Sequence, residues 1–286
     1  MVAIEFSPVR VRDANDLAQE VVGHCMSFLD PVRDRASLEA CSLVNKAWSN
    51  ESSRVLFSRF KLCLTGDFRA LVKLVGASER VRAHARWLDL RPPVGHAPQS
   101  VALELQDLLK LMWLLPNLKT VSLRAVNVVV TREPLYKLSK YRGFKLETLE
   151  LSDVWHLTNC RRLEFRTFWR AFEDIKSVAI CNSTEPPEDI NDGPITQLAR
   201  PLPRVASLRI AALWSPHFYV WLKHLFVPSE LKTVSISVGN VRFDQVMLYV
   251  HALFAECKDL EDVTFDVQMP HMAVYREKFI ADCESL

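Results

Sequence analysis

The chain has 286 residues, 49% of them hydrophobic and 24% charged, with a formal net charge of only +2. That length and apolar content suffice for one large domain or two smaller ones with a filled core. The near-neutral balance supplies no global field, so neither nucleic acid nor a membrane surface is expected as a partner.

Glycine occurs only seven times, and no GxGxxG or GxxxxGKS/T loop exists to cradle a phosphate, which excludes nucleotide chemistry by those routes. The seven cysteines, at 25, 41, 63, 160, 181, 257 and 283, form no CxxC pair. An odd, scattered set reads as buried thiols in a reducing compartment. Glu5, Arg10, Arg12 and Asp13 leave no apolar leader, so a cytosolic or nuclear protein is expected.

Residues 1–14 are expected to be a flexible tail. Asp16 then offers a helix cap with Gln19 as its capping-box partner, and Leu17, Val21, Cys25 and Leu29 recur every fourth residue on one helix face. Pro31, between Asp30 and Asp34, stops that helix. A second run is Leu38, Cys41, Val44 and Trp48; a third, opened by Ser49, continues through Val55, Leu56 and Phe60. Trp48 is expected to hold the helices together. So small a unit needs a neighbour to lean on.

The stretch DLAQEVVGHCMSFLDP, followed by SLEACSLVNKAWSNESSRVLF, resembles an F-box of the version common in fungal proteins. The resemblance rests on Leu17, Glu20 and Val21, on Leu29, on Ala40 to Val44, on Trp48 and on Leu56-Phe57. Where that family has Leu-Pro, this chain has Leu17-Ala18. The resemblance implies docking onto the small adaptor subunit of SCF-type ubiquitin ligases, and through it onto a cullin, with aliphatic anchors in a groove. The expected docking residues are Leu17, Val21, Leu29, Leu38 and Val44.

Beyond residue 60 a second pattern starts. ARWLDL at Ala85, LKTVSL at Leu118, LETLEL at Leu146, IKSVAI at Ile175, VASLRI at Val205, LKTVSI at Leu231 and LEDVTF at Leu260 recur at roughly 26 to 33 residues, with FKLCL at Phe60 as a weaker leading copy. Within each unit the fourth and sixth positions are apolar around a polar or small residue, the alternation of a half-buried strand. Helix-like stretches lie between units: LELQDLLKLMWLL from Leu103, RRLEFRTFWRAF from Arg161, PHFYVWLKHLF from Pro216 and DQVMLYVHALF from Asp244. The pattern resembles a long, helix-containing leucine-rich repeat lacking the usual Asn or Cys after the strand.

The expected architecture is therefore α/β: an F-box-like three-helix unit over 15–60, then an irregular leucine-rich-repeat solenoid, a horseshoe, over 61–286. Helical residues Met272, Tyr275, Phe279 and Cys283 could cover its far end. The third and fifth strand positions, among them Thr120, Ser122, Thr148, Glu150, Ser177, Arg209, Thr233 and Ser235, would form a solvated concave face that either holds a substrate protein or is ordinary strand surface.

Other chemistry has weaker signals. In RRLEFRTFWRAF the aromatic stripe Phe165, Trp169 and Phe172 reads as core, and Arg162, Arg166 and Arg170 as its wet flank. The acidic loop Thr184 to Pro194 lacks a calcium-site register. His156 with Cys160, and His251 with Cys257, lack further ligands at zinc spacing. No GxSxG or HExxH is present, so no catalytic residue, metal or cofactor is expected. The implied function is a substrate-recognition adaptor of an SCF-type ligase. The rival is an interaction scaffold whose helical start is only an end cap.

Overall fold

A computed structural model of the chain describes residues 17–64, 68–93, 102–129, 143–153, 168–181, 201–211, 225–238, 250–251 and 253–267. Three helices come first: α1 (Gln19–Ser27), α2 (Arg35–Cys41) and α3 (Lys46–Leu56). The α1–α2 turn forms where Pro31 interrupts the helix. Asp30 Oδ1 accepts from the N–H groups of Val32 and Arg33 at 2.8 and 2.9 Å, and Asp34 Oδ2 accepts from the N–H of Asp30 at 2.8 Å. Helix α3 starts earlier than Ser49 because Asn45 caps it, its side chain accepting from the Trp48 N–H at 3.0 Å. Trp48 thus lies in the first turn of α3, half-buried against a small core of Val22, Met26, Leu38 and Val55.

The helical run ends in a sheet. Its strands are β1 (Arg59–Cys63), β2 (Trp87–Arg91), β4 (Thr120–Arg124), β6 (Phe144–Ser152), β7 (Phe172–Cys181), β8 (Arg204–Ala211), β9 (Thr233–Val238) and β10 (Asp262–Val267), paired in that order and all parallel. Each segment whose alternation predicts a strand is a strand of this sheet. Short strands β3 (Ala102–Glu104) and β5 (Asn127–Val129) pair separately. Helices α4 (Phe68–Ala77) and α5 (Glu79–His84) join β1 to β2, and α6 (Leu105–Leu114) precedes β4. Helix α6 buries Leu105, Leu108, Leu109, Leu111 and Met112 in the sheet's core, the broad apolar face that its leucine spacing dictates.

Register aligns the apolar positions across strands. One row runs Leu88, Val121, Leu149, Val178, Leu208, Val234 and a second Leu90, Leu123, Leu151, Ile180, Ile210, Ile236. All twelve are buried. This core is distinct from that of the helical unit.

The horseshoe is not what forms. The chain makes an α/β fold on one open, parallel eight-stranded sheet, closer in that respect to a Rossmann-like sheet than to a repeat solenoid. A solenoid's inner strand face would stand in solvent, yet here Asp89 on β2 and Ser122 on β4 are 3% and 0% exposed on the polar face. Even spacing of strands measures only how long the crossovers are, and any row of parallel strands with similar connections produces it. Among the described strands the order runs one way, without a reversal of the kind that opens a dinucleotide crevice.

Candidate functional site

The first candidate is the outside of the helical unit. The glycine at 23 lets α1 lie close to α3: a Cβ there would stand 3.1 Å from Glu51 Oε2. Glu51 accepts from Arg54 Nε at 2.7 Å and from Gln19 Nε2 at 3.2 Å, tying the two helices together. Burial acts to raise the Glu51 pKa, but these two hydrogen bonds outweigh it and hold the carboxyl below its ordinary value.

The buried face of α1 is Val22 and Met26, not the fourfold series Leu17, Val21, Cys25. Consequently Leu17 is 38% and Val21 46% exposed, as is Val44 at 46%. Three of the five expected docking residues therefore face solvent. Leu29 packs half-buried on the helical core, and Leu38 is 0% exposed; Leu38 serves the fold and offers no surface to a partner. Phe28, Val32 and Leu43, absent from the expected set, are more exposed still. The sequence signal for them was apolar residues inside turn segments, Phe28 and Val32 around Asp30-Pro31 and Leu43 beside Asn45, where polar residues are usual.

The second candidate is the polar face of the sheet. Register puts Thr120, Thr148, Ser177 and Thr233 in one row and Ser122, Glu150, Arg209 and Ser235 in the next. The eight expected residues thus share a face. Arg209 is exposed, Ser122 is buried, and the others are half-buried. At the β2–β4–β6 end Arg124 organises the charges. Its Nε donates to Ser122 Oγ at 3.1 Å and lies 3.8 Å from Asp89 Oδ1, while Nη2 reaches Glu150 Oε2 at 3.5 Å. Asp89 Oδ1 is buried and makes no hydrogen bond. Both Asp89 and Arg124 escaped the sequence reading; the signal was a carboxylate between two core leucines, Leu88 and Leu90.

Burial pushes the Asp89 pKa up, with Arg124 and Arg59 opposing only in part. An acid whose folded pKa is raised binds its proton more tightly in the folded state. Its contribution to stability therefore falls as pH rises from 3.8 through the raised value. Asp89→Asn is expected to melt higher than wild type at pH 7, with the advantage shrinking at pH 4.5, because protonation of the wild-type carboxyl removes the cost of burying its charge. Thermal melts at the two pH values check this; a variant less stable at pH 7 would contradict it.

The thiols are less uniform than the sequence suggests. Cys25 and Cys63 are exposed, Cys41 and Cys181 half-buried, and only Cys257 is buried among the described cysteines. Burial pushes Cys257 up to about 11, so it stays a thiol at neutral pH. His251 is exposed, and no group of three or more metal-ligating side chains occurs among the described residues. His156 with Cys160, Arg162, Phe165, Arg166, the acidic loop Thr184 to Pro194 and the residues 272–283 lie outside the described residues. Among the described residues no helix is long and apolar enough to cross a membrane. No protein-family model matches this sequence, and no curated protein matches it.

Proposed function

We propose that the protein is a substrate-recognition adaptor whose three-helix unit docks on the small adaptor subunit of an SCF-type cullin ubiquitin ligase. The polar face of the open sheet then holds a substrate protein, and other subunits transfer ubiquitin. The observation that carries this reading is the exposure of Leu17, Val21, Phe28, Val32, Leu43 and Val44 on a unit that already has a filled core of its own. Large apolar side chains clustered on one small unit mark a protein contact more than a solvated cap. Covering each is worth about 1.5–3 kcal/mol before the costs of association. The F-box resemblance of residues 16–60 supplies the identity of the groove. Bringing a bound substrate near the conjugating enzyme is then a matter of effective concentration, with no reacting group needed in this chain.

The test is binding of the purified chain to the SCF adaptor subunit by calorimetry, beside a Val21→Glu, Val44→Glu double variant. The expected result is saturable binding by wild type and at least a hundredfold loss in the variant, since two buried carboxylates each cost several kcal/mol. Failure of the folded wild type to bind would leave an interaction scaffold capped by its helices.

A further inference from the structure

A cleft of about 440 Å³ separates the helical unit from the start of the sheet. It lies where three strand units begin. The Arg86 N–H donates to Ser58 O at 2.9 Å, the Lys119 N–H to Arg86 O at 2.8 Å, and the Glu147 N–H to Lys119 O at 2.7 Å. This ladder sets Arg86, Lys119 and Glu147 side by side on one wall, and Arg54 of α3 stands on the other.

The charges do not cancel. Arg54 is paired with Glu51 and Lys119 with Glu147, each at 2.7 Å. Arg59 and Arg86 also line the cleft, and neither has a carboxylate within ion-pair distance among the described residues. The Arg59 guanidinium lies 3.7 Å over the Trp87 ring, a stack that leaves its in-plane N–H groups available. Trp87 Nε1 is buried without a hydrogen bond and so does not open onto the cleft, whereas Thr120 is half-buried and lines it. Two guanidinium groups outside any ion pair and a hydroxyl therefore border one space, and the one carboxylate lining it is already engaged with Lys119. The positive field is felt nearby: burial first, then Arg54 and Arg86, hold the His84 pKa below its usual value.

We infer that this cleft binds a doubly charged tetrahedral oxyanion, a phosphate group, between Arg59 and Arg86 with Thr120 donating to it. Planar guanidinium groups match phosphate oxygens in pairs, and two positive charges neutralise a dianion. The cleft borders the docking face at Ser27, Leu29 and Pro31, but neither Val21 nor Val44 lines it, so the variants that test the two readings change different residues and either reading can fail alone.

Titration of the full chain with inorganic phosphate at constant ionic strength, followed by calorimetry and melting temperature, tests the site. Saturable binding is expected in wild type and in Arg35→Gln, a surface control paired with Glu39 outside the cleft. It should weaken at least about tenfold in Arg86→Gln and further in Arg59→Gln, Arg86→Gln. Arg86 is exposed, so the single variant keeps the test valid if losing the Trp87 stack unfolds the double one. An equal response to perchlorate, or unchanged phosphate affinity in Arg86→Gln, overturns the inference. Phenyl phosphate as a second probe upholds it either way it binds: tighter than inorganic phosphate, the group is carried on a larger molecule; weaker, the ligand is the free ion. No binding of either probe overturns it.

Discussion

Leu38→Ala is expected to unfold the helical unit while leaving the sheet intact, and Val21→Glu with Val44→Glu is expected to do neither. Leu38 is fully buried and is one of four such side chains in that core, beside Val22, Met26 and Val55. Truncating a buried leucine costs about 2–5 kcal/mol through lost transfer energy and the cavity left behind. A core this small has little else to offset the loss. Hydrogen exchange resolves the effect: amides of α1 to α3 should lose protection, and those of β6, β7 and β8, which belong to the other core, should keep it. Val21 and Val44 are each 46% exposed, and surface substitutions away from special features stay within about 0.5 kcal/mol. Any binding lost with those two changes belongs to the surface. Unaltered protection of α1 to α3 in Leu38→Ala would mean that the helices are not held by this core.

What the sequence made legible follows the range of each signal. Alternation over six residues is local, so LKTVSL, LETLEL and IKSVAI declare themselves as strands, and their register then follows because each unit keeps the same phase. Burial at one end of the polar face is not local. Nothing in ARWLDL reveals that Asp89 is buried, because Ser122 and Arg124 beside it come from another strand; even spacing likewise does not distinguish an open sheet from a horseshoe. The helical unit shows a second kind of failure. Helix α1 carries two apolar series, Val21-Cys25, which extends back to Leu17 just before the helix, and Val22-Met26, and periodicity fits both. Only the positions of α2 and α3 decide that Val22 and Met26 turn inward. In the next run, Val44 and Trp48 keep helical spacing straight through a turn, so Asn45 could be recognised as a cap only from its hydrogen bond to Trp48. For the docking site, composition found an apolar unit and not its outward face. The spacing therefore groups Leu38 with Val21, although one is buried in the core and the other faces solvent.

Trp169→Ala is expected to cost about 3–5 kcal/mol, among the largest effects of any single truncation in the chain. Trp169 is 0% exposed in a helical turn just before β7, its ring T-shaped on Phe168 at 5.7 Å. Phe168 meets Phe172 at 5.3 Å, and Phe172 leans on Phe144 at 6.4 Å, which carries the aromatic contact from the turn through β7 to β6. A buried indole leaves a cavity that strands fixed by their ladders cannot collapse to fill. For a chain of this size the loss corresponds to roughly 6 to 20 °C in melting temperature, measurable by calorimetry, whereas Trp169→Phe keeps most of the ring contact and should fall by much less. Of the arginine-aromatic run from Arg161, the described rings Trp169 and Phe172 are buried, and a base cannot stack on a ring that no solvent reaches. An unchanged melting temperature in Trp169→Ala would refute the placement of this ring in the core. Paired with Leu38→Ala, the variant also tests how far the two cores are coupled. If each melts only its own part, the helical unit can be altered to test docking without disturbing the sheet.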